Sequence, residues 1–237
     1  METVAELKHF YFAYKKNNLV LHDIDFKIEK GSFTVIAGPS GSGKTTLCKA
    51  MAGIVPFYMG GAYSGEVMVL GESTKGKKVS DIAMRLGLML EDYESQLVSL
   101  TAGEEVAFSL LNHGFKPEEE PVSAMDPDGA NSLYKLLYKI HKEYGTTIVV
   151  VEHRIDYLLP YMTDLVVLKK GRLVAADKFE NAARVMYKDE TLRHFVPALW
   201  RIKLGLEEKF GVSLGNWRTE EEAVAELKAK GFTGGEA

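Results

Sequence analysis

Cysteine is almost absent from this 237-residue chain: Cys48 stands alone, so no disulfide can form within it, a pattern that suits a reducing compartment. No stretch of 18 or more apolar residues occurs, so no segment reads as a membrane-crossing helix. The opening Met1-Glu2-Thr3-Val4 lacks the charged-then-apolar pattern of a secretory leader. Excess positive charge is missing too. With 29 Lys and Arg against 33 Asp and Glu the net charge is -4, which argues against a nucleic-acid binder, whose footprint is a basic surface. Repeats and low-complexity tracts are absent, and the basic run Lys75 to Lys78 reads as a solvated turn. What is present, 46% hydrophobic and 26% charged residues, describes one α/β domain able to bury a sizeable core.

The most specific pattern is Gly38-Pro39-Ser40-Gly41-Ser42-Gly43-Lys44-Thr45-Thr46, which matches G-x-x-x-x-G-K-[ST]. Glycines let consecutive main-chain N–H groups close around phosphate oxygens, Lys44 adds a point charge, and the Thr45 hydroxyl reaches Mg²⁺. Context supports the match. Ser32 to Ala37 predicts a buried strand, and Thr46 to Ile54 a short helix ending near Gly53, so strand, loop and helix stand in the required order. A helix starting near Lys44 aims its positive end at the same anion. The pattern predicts a bound nucleoside triphosphate with Mg²⁺. Cys48, on the helix behind the loop, is expected to be a small buried packing residue rather than a reactive thiol.

Around that motif the first thirty residues predict antiparallel strands, with Val20, His22, Ile24, Phe26 and Ile28 on one face. Ser64 to Leu70 predicts a further strand, and Thr101-Ala102-Gly103-Glu104 a capping box opening a helix toward Asn112. Asp126-Pro127 caps a helix whose Leu133, Leu136, Leu137, Ile140 and Tyr144 line one face until Gly145 stops it. Thr146 to Val151 is an apolar, β-branched strand suited to a parallel sheet. Asp164 to Leu168 and Arg172 to Ala176 form a hairpin over Lys169-Lys170-Gly171. Beyond residue 190 the pattern turns helical, with Leu192, Phe195, Leu199, Ile202 and Leu206 at mixed spacing of three and four, a helix starting at or kinked by Pro197, and a second capping box at Thr219 to Glu222.

Taken together, these residues resemble the nucleotide-binding subunits of ABC transporters, and within them the energy-coupling factor (ECF) type that powers vitamin and transition-metal uptake. The resemblance covers nearly the whole chain. Phe12-Ala13-Tyr14 stands where the family places an aromatic against adenine, which makes Tyr14 the candidate; the alternative is a plain core aromatic. Gly53 to Pro56, Gly60-Gly61 and Gly65 to Val67 are similar to a segment of the ECF branch, and Ser123 to Pro127 to the D loop that crosses the dimer interface. Val150 to Arg154 resembles the switch-histidine segment, so His153 is the candidate contact to the γ-phosphate, against a merely satisfied polar residue at a strand end.

Two departures stand out. Leu88 to Asp92 aligns with the Q loop, but Glu91 stands at the place of the usual glutamine; as a carboxylate it remains a candidate Mg²⁺ ligand, with altered nucleotide handling expected. The second departure is larger. Between Asn112 and Glu120 the family carries a helical subdomain, a Leu-Ser-Gly-Gly-Gln signature and the Walker B strand ending in Asp-Glu; this chain has Gly114 to Pro121, whose two prolines bracket three acids and exclude a buried strand. Glu119 and Glu120 read either as the tail of that motif, with Glu120 as catalytic base, or as a charged surface loop. The resemblance implies that the absent strand lies in the sheet beside the phosphate-loop strand. Burying about five large apolar side chains there at roughly 1.5 to 3 kcal/mol each contributes about 10 kcal/mol, against a net domain stability of about 5 to 15 kcal/mol. A segment missing between Lys116 and Pro121 is therefore expected, testable as an abnormal chain step there.

The expected architecture is an α/β P-loop ATPase core over residues 1–190, with an N-terminal antiparallel β subdomain and a truncated helical subdomain, followed by a small helical extension over 191–237. That extension resembles one used for subunit contacts, or caps the core. The resemblance implies an ATP-hydrolysing subunit with ATP and Mg²⁺ as cofactors, paired with a second ABC ATPase subunit and integral-membrane transporter subunits at the cytoplasmic face of the membrane. Two such domains hold each ATP between one partner's phosphate loop and the other's signature. Without a signature this chain could hold ATP but not complete its partner's site, so a homodimer would be inactive and a non-hydrolysing partner is the alternative. A small-molecule kinase would need an arginine-rich lid, whereas the first 185 residues offer only Arg85, Arg154, Arg172 and Arg184, scattered.

Overall fold

The computed structural model describes residues 2–83 and 129–232, with the side chains of 129–133 and of 136 left out. Glu91, Glu119, Glu120, the segments resembling the Q and D loops, the helix expected over 101–112 and the chain step between 116 and 121 all lie outside the described residues.

Among the described residues, two four-stranded sheets carry the fold. β1 (Thr3–Lys15) and β2 (Asn18–Glu29) pair antiparallel and continue through β4 (Ala62–Val69) to β5 (Glu72–Ser73). In the second sheet β3 (Phe33–Ala37) lies between β6 (Ile148–Val151) and β7 (Asp164–Lys169), parallel to both, and β8 (Arg172–Lys178) closes it as an antiparallel edge. The strand expected beside the phosphate-loop strand thus has no place there. β3 already has a neighbour on each side, and among the described strands the sheet ends at β6. The partly exposed Ile148, Val149 and Val150 of β6 contrast with the fully buried β3.

Alternation along β3 divides the interior in two. Ile36 joins Leu7, Phe10, Phe12, Leu21, Ile24 and helix α1 (Lys44–Met51) between the sheets. Phe33, Val35 and Ala37 face the other way, onto α3 (Gly129–Tyr144), the 3₁₀ turn Ile155–Leu158, α4 (Phe179–Lys188) and α5 (Ala198–Phe210). The short α2 (Val79–Ala83) and α6 (Glu220–Ala229) complete the described α-helices. Pro197 does open α5, and Thr219 caps α6 by accepting the Glu222 N–H at 3.3 Å.

Three expected faces shift. In β2 the buried residues are Leu21, Ile24, Phe26 and Ile28, because a register shift at Asp23, whose φ is 53°, moves the inward face by one residue between Leu21 and Ile24. On α3 the buried line runs through Tyr134 and His141, while Tyr144 is 76% exposed at the helix end. Near the C-terminus Leu192, Val196, Trp200 and Leu204 enter the core, and Ile202 points to solvent.

Candidate nucleotide-binding site

The phosphate loop leaves the end of β3 and winds directly into α1. Its first glycine is dictated by a neighbour: a Cβ on Gly38 would stand 2.1 Å from the Leu168 carbonyl oxygen of β7, closer than any side chain tolerates. The loop is clamped again at its far end. Ser42 O accepts from Gly171 N at 3.0 Å, and Gly171 O accepts from His22 N at 2.8 Å, so the β7–β8 hairpin tip ties the loop to β2. Lys170 and Gly171 have φ of 50° and 73°, the left-handed pair of a tight hairpin turn, and a Cβ on Gly171 would meet Val20 O at 2.2 Å. Sequence reading marked Lys169-Lys170-Gly171 only as a turn; that it buttresses the phosphate loop emerges from long-range packing.

Lys44 is 4% exposed, yet its ammonium does not enter apolar surroundings: Nζ donates to Gly38 O at 2.9 Å and to Pro39 O at 3.2 Å. The charge is therefore held inside the loop. The first turn of any helix leaves main-chain N–H groups without intrahelical acceptors, and α1 places no acid there. Gly43 provides no side-chain cap that would compete for them. Among the described residues Ser42 Oγ is buried with no hydrogen-bond partner, an unmet polar group in the middle of the loop. An orphaned hydroxyl, a confined cation and an uncapped helix start fit a polyphosphate. Thr45, half-buried on the first turn of α1, supplies a hard oxygen suited to Mg²⁺.

The remaining predicted residues are distributed as follows. Ser40 and Gly41 lie exposed at the loop's outer bend, while Gly38, Gly43 and Thr46 are buried. Tyr14 is 41% exposed and therefore not a core aromatic; its OH lies 3.3 Å from Thr46 Oγ1, and its ring meets Phe12 edge-on at 4.8 Å. His153 is half-buried just past β6, whose Val151 pairs with Ile36 at the same end of the sheet from which the phosphate loop departs. Open parallel sheets bind ligands at this end. Cys48 is buried behind the loop, and burial pushes its thiol up to about 12, with the Lys44 charge pulling weakly the other way, so it stays a packing residue. No described helix is long and apolar enough to cross a membrane.

Comparison with known proteins agrees with this fold. The family model described as "ABC transporter" matches residues 21–155. A protein of Pyrococcus abyssi named as an ABC transporter ATP-binding protein is 29% identical, with 94% of this chain and 98% of that protein covered. A counterpart in Pyrococcus horikoshii is 30% identical over 95% and 96%. Among solved structures, cbiO1 from Clostridium perfringens, described as part of the ABC transporter complex cbiONQ, superposes with a TM-score of 0.63 at 18% identity, covering 89% of this chain and 97% of that one. A dimeric ATP-binding cassette bound to ADP and Pi superposes at 0.56 with 20% identity, covering 73% and 98%. The Pyrococcus abyssi alignment spans 275 positions but takes in 94% of 237 residues, so about 50 positions have no residue here. A Bacillus thuringiensis relative, aligned over 228 positions with 75% of this chain, leaves about the same number empty. With the motif, the P-loop α/β fold and these likenesses in agreement, the chain belongs to the ABC transporter family as an ATP-binding domain.

Proposed function

We propose that this chain is the ATP-binding subunit of an ECF-type importer, coupling ATP binding and hydrolysis to uptake of a vitamin or metal ion through integral-membrane partners at the cytoplasmic face. The observation that carries the reading is the phosphate loop, with Lys44 confined by Gly38 and Pro39 carbonyls, the Ser42 hydroxyl unpartnered among the described residues, and Tyr14 beside Thr46. The likeness to cbiO1 supports the ECF assignment. In this reading Tyr14 stacks on adenine, the 38–46 loop holds the phosphates, Thr45 and Glu91 ligate Mg²⁺, and His153 contacts the γ-phosphate. Glu120 polarises the attacking water. Catalysis then rests on positioning and charge stabilisation. The extension over 191–237 contributes subunit contacts.

The about 50 alignment positions without a residue here favour a second reading, a non-hydrolysing ATP-binding partner in an asymmetric ABC heterodimer. We assign those positions to the segment between about 116 and 121, where a helical subdomain, signature and Walker B strand are expected. Affinity purification through this chain from host membranes is expected to recover a multi-span membrane protein and a second ATPase subunit; recovery of neither contradicts the importer reading. Phosphate release by the purified chain alone separates the two readings. Vigorous turnover abolished by Lys44→Ala sinks the non-hydrolysing one, while ATP-dependent dimerisation without phosphate release supports it.

A further inference from the structure

His153 sits on a turn that a neighbouring carboxylate holds. Glu152 follows β6, and its N–H donates to Ile36 O at 3.3 Å, anchoring the residue to the phosphate-loop strand. Its Oε1 accepts the His153 N–H at 2.7 Å and the Arg154 N–H at 3.0 Å, and its Oε2 accepts the Tyr134 hydroxyl at 2.7 Å. Tyr134 is 7% exposed on α3 and belongs to the cluster containing Phe33, Val35 and Ala37. Glu152 thus joins three elements: its main chain the strand leading into the phosphate loop, its carboxylate the turn bearing His153 and α3.

We propose that Glu152 and Tyr134 are a positioning pair for His153, fixing its main chain so that the imidazole meets the terminal phosphate, and passing displacements of α3 to that contact. The inference rests on the role given to His153 above. Hydrogen bonds to an ionised acceptor are short and about twice as strong as neutral ones, so a carboxylate gathering two successive N–H groups constrains this turn more than an apolar residue would. A cap that merely stabilised the following 3₁₀ turn would need only the N–H contacts. The Tyr134 contact adds a lever from a separate helix. Its hydroxyl spends a buried donor on the carboxylate that accepts both N–H groups of the histidine turn.

The test uses the full chain with ¹³C- and ¹⁵N-labelled histidine. The His153 imidazole signal, identified by its loss in His153→Gln, is compared with Mg²⁺-ATPγS and with Mg²⁺-ADP bound, beside the Kd of each nucleotide. In the wild type the two nucleotides are expected to give different His153 shifts. Glu152→Ala and Tyr134→Phe are expected to lose most of that difference while the Kd for ADP, which lacks the γ-phosphate, stays nearly unchanged. Glu152→Gln, which keeps an oxygen toward both N–H groups, is expected to retain it. Tyr134→Phe keeps the buried ring and so remains informative if Glu152→Ala fails to fold. A difference that persists at full size in Tyr134→Phe and Glu152→Ala overturns the positioning pair alone. No difference in the wild type overturns both the pair and the role of His153.

Discussion

The phosphate loop and the C-terminal helices are held by opposite means. Around the loop, main chain meets main chain: Gly38 lies against Leu168 O, Gly171 against Val20 O, and Ser42 O is bonded to Gly171 N. Between residues 198 and 232, side chains from distant parts of the chain do the joining. Trp200 Nε1 donates to Trp217 O at 2.7 Å. Arg218 reaches Leu159 O, Met162 O and the Glu180 carboxylate. Glu207 gathers Arg184, Lys203 and the Leu214 N–H. A site that must let a ligand's oxygens approach its amides has little room for side chains, whereas a segment that only has to stay docked can use large ones.

The most damaging change should fall in the C-terminal part. Trp200 is fully buried, edge-on to Phe179 at 4.8 Å, and Trp200→Ala should cost about 3–5 kcal/mol, read from urea unfolding. Nucleotide affinity of the fraction still folded should change little, since the loop is held by other contacts. A parallel loss of both would break the comparison.

Next in size is Gly171→Ala, with a positive φ and a backbone oxygen 2.2 Å from the new methyl group; the strain and displacement should cost about 1–3 kcal/mol and weaken ATP binding through Ser42. Gly76→Ala is the matched control, with φ of 79° and nothing within 4 Å, and should cost only about 1–2 kcal/mol with no effect on ATP. Equal effects of the two would show that the hairpin tip does not support the loop.

How legible was this from residues alone? The strand-loop-helix order around residues 38–46 was nearly complete in the sequence, because it is a local chain geometry that G-x-x-x-x-G-K-[ST] spells out in nine consecutive residues. The strands β3, β6, β7 and β8 were legible for the same local reason. Gly171 and the Glu152–Tyr134 contact were not: each depends on a partner that the fold, not sequence proximity, brings near. The face of β2 was misread where Asp23 interrupts the alternation, since period-two reasoning has no means to foresee a bulge. Ile202 and Tyr144 fit a helical stripe yet face solvent, because helix ends and short helices bury only what their neighbours cover.

A smaller effect separates the two regions by pH. Burial pushes the Glu207 carboxyl up, but Arg184, Lys203 and the Leu214 N–H outweigh it and hold it at about 2. A depressed carboxylate adds stability that is complete above its unfolded value, about 4.3, and that is lost as pH falls through about 2. Urea midpoints measured downward from pH 6 should therefore fall, and less steeply in Glu207→Gln. Smallest of all is the expectation for Cys48, whose thiol, pushed up to about 12, should resist iodoacetamide in the folded protein and react on unfolding.

The most direct measurement is calorimetric titration of the purified chain with Mg²⁺-ATP, beside Lys44→Ala. Saturable binding at one site is expected, weakened about 10- to 100-fold by the substitution, as befits the loss of hydrogen bonds from a charged donor. Absence of binding in the wild type, or equal affinity in Lys44→Ala, would contradict the assignment of the 38–46 loop as the triphosphate cradle.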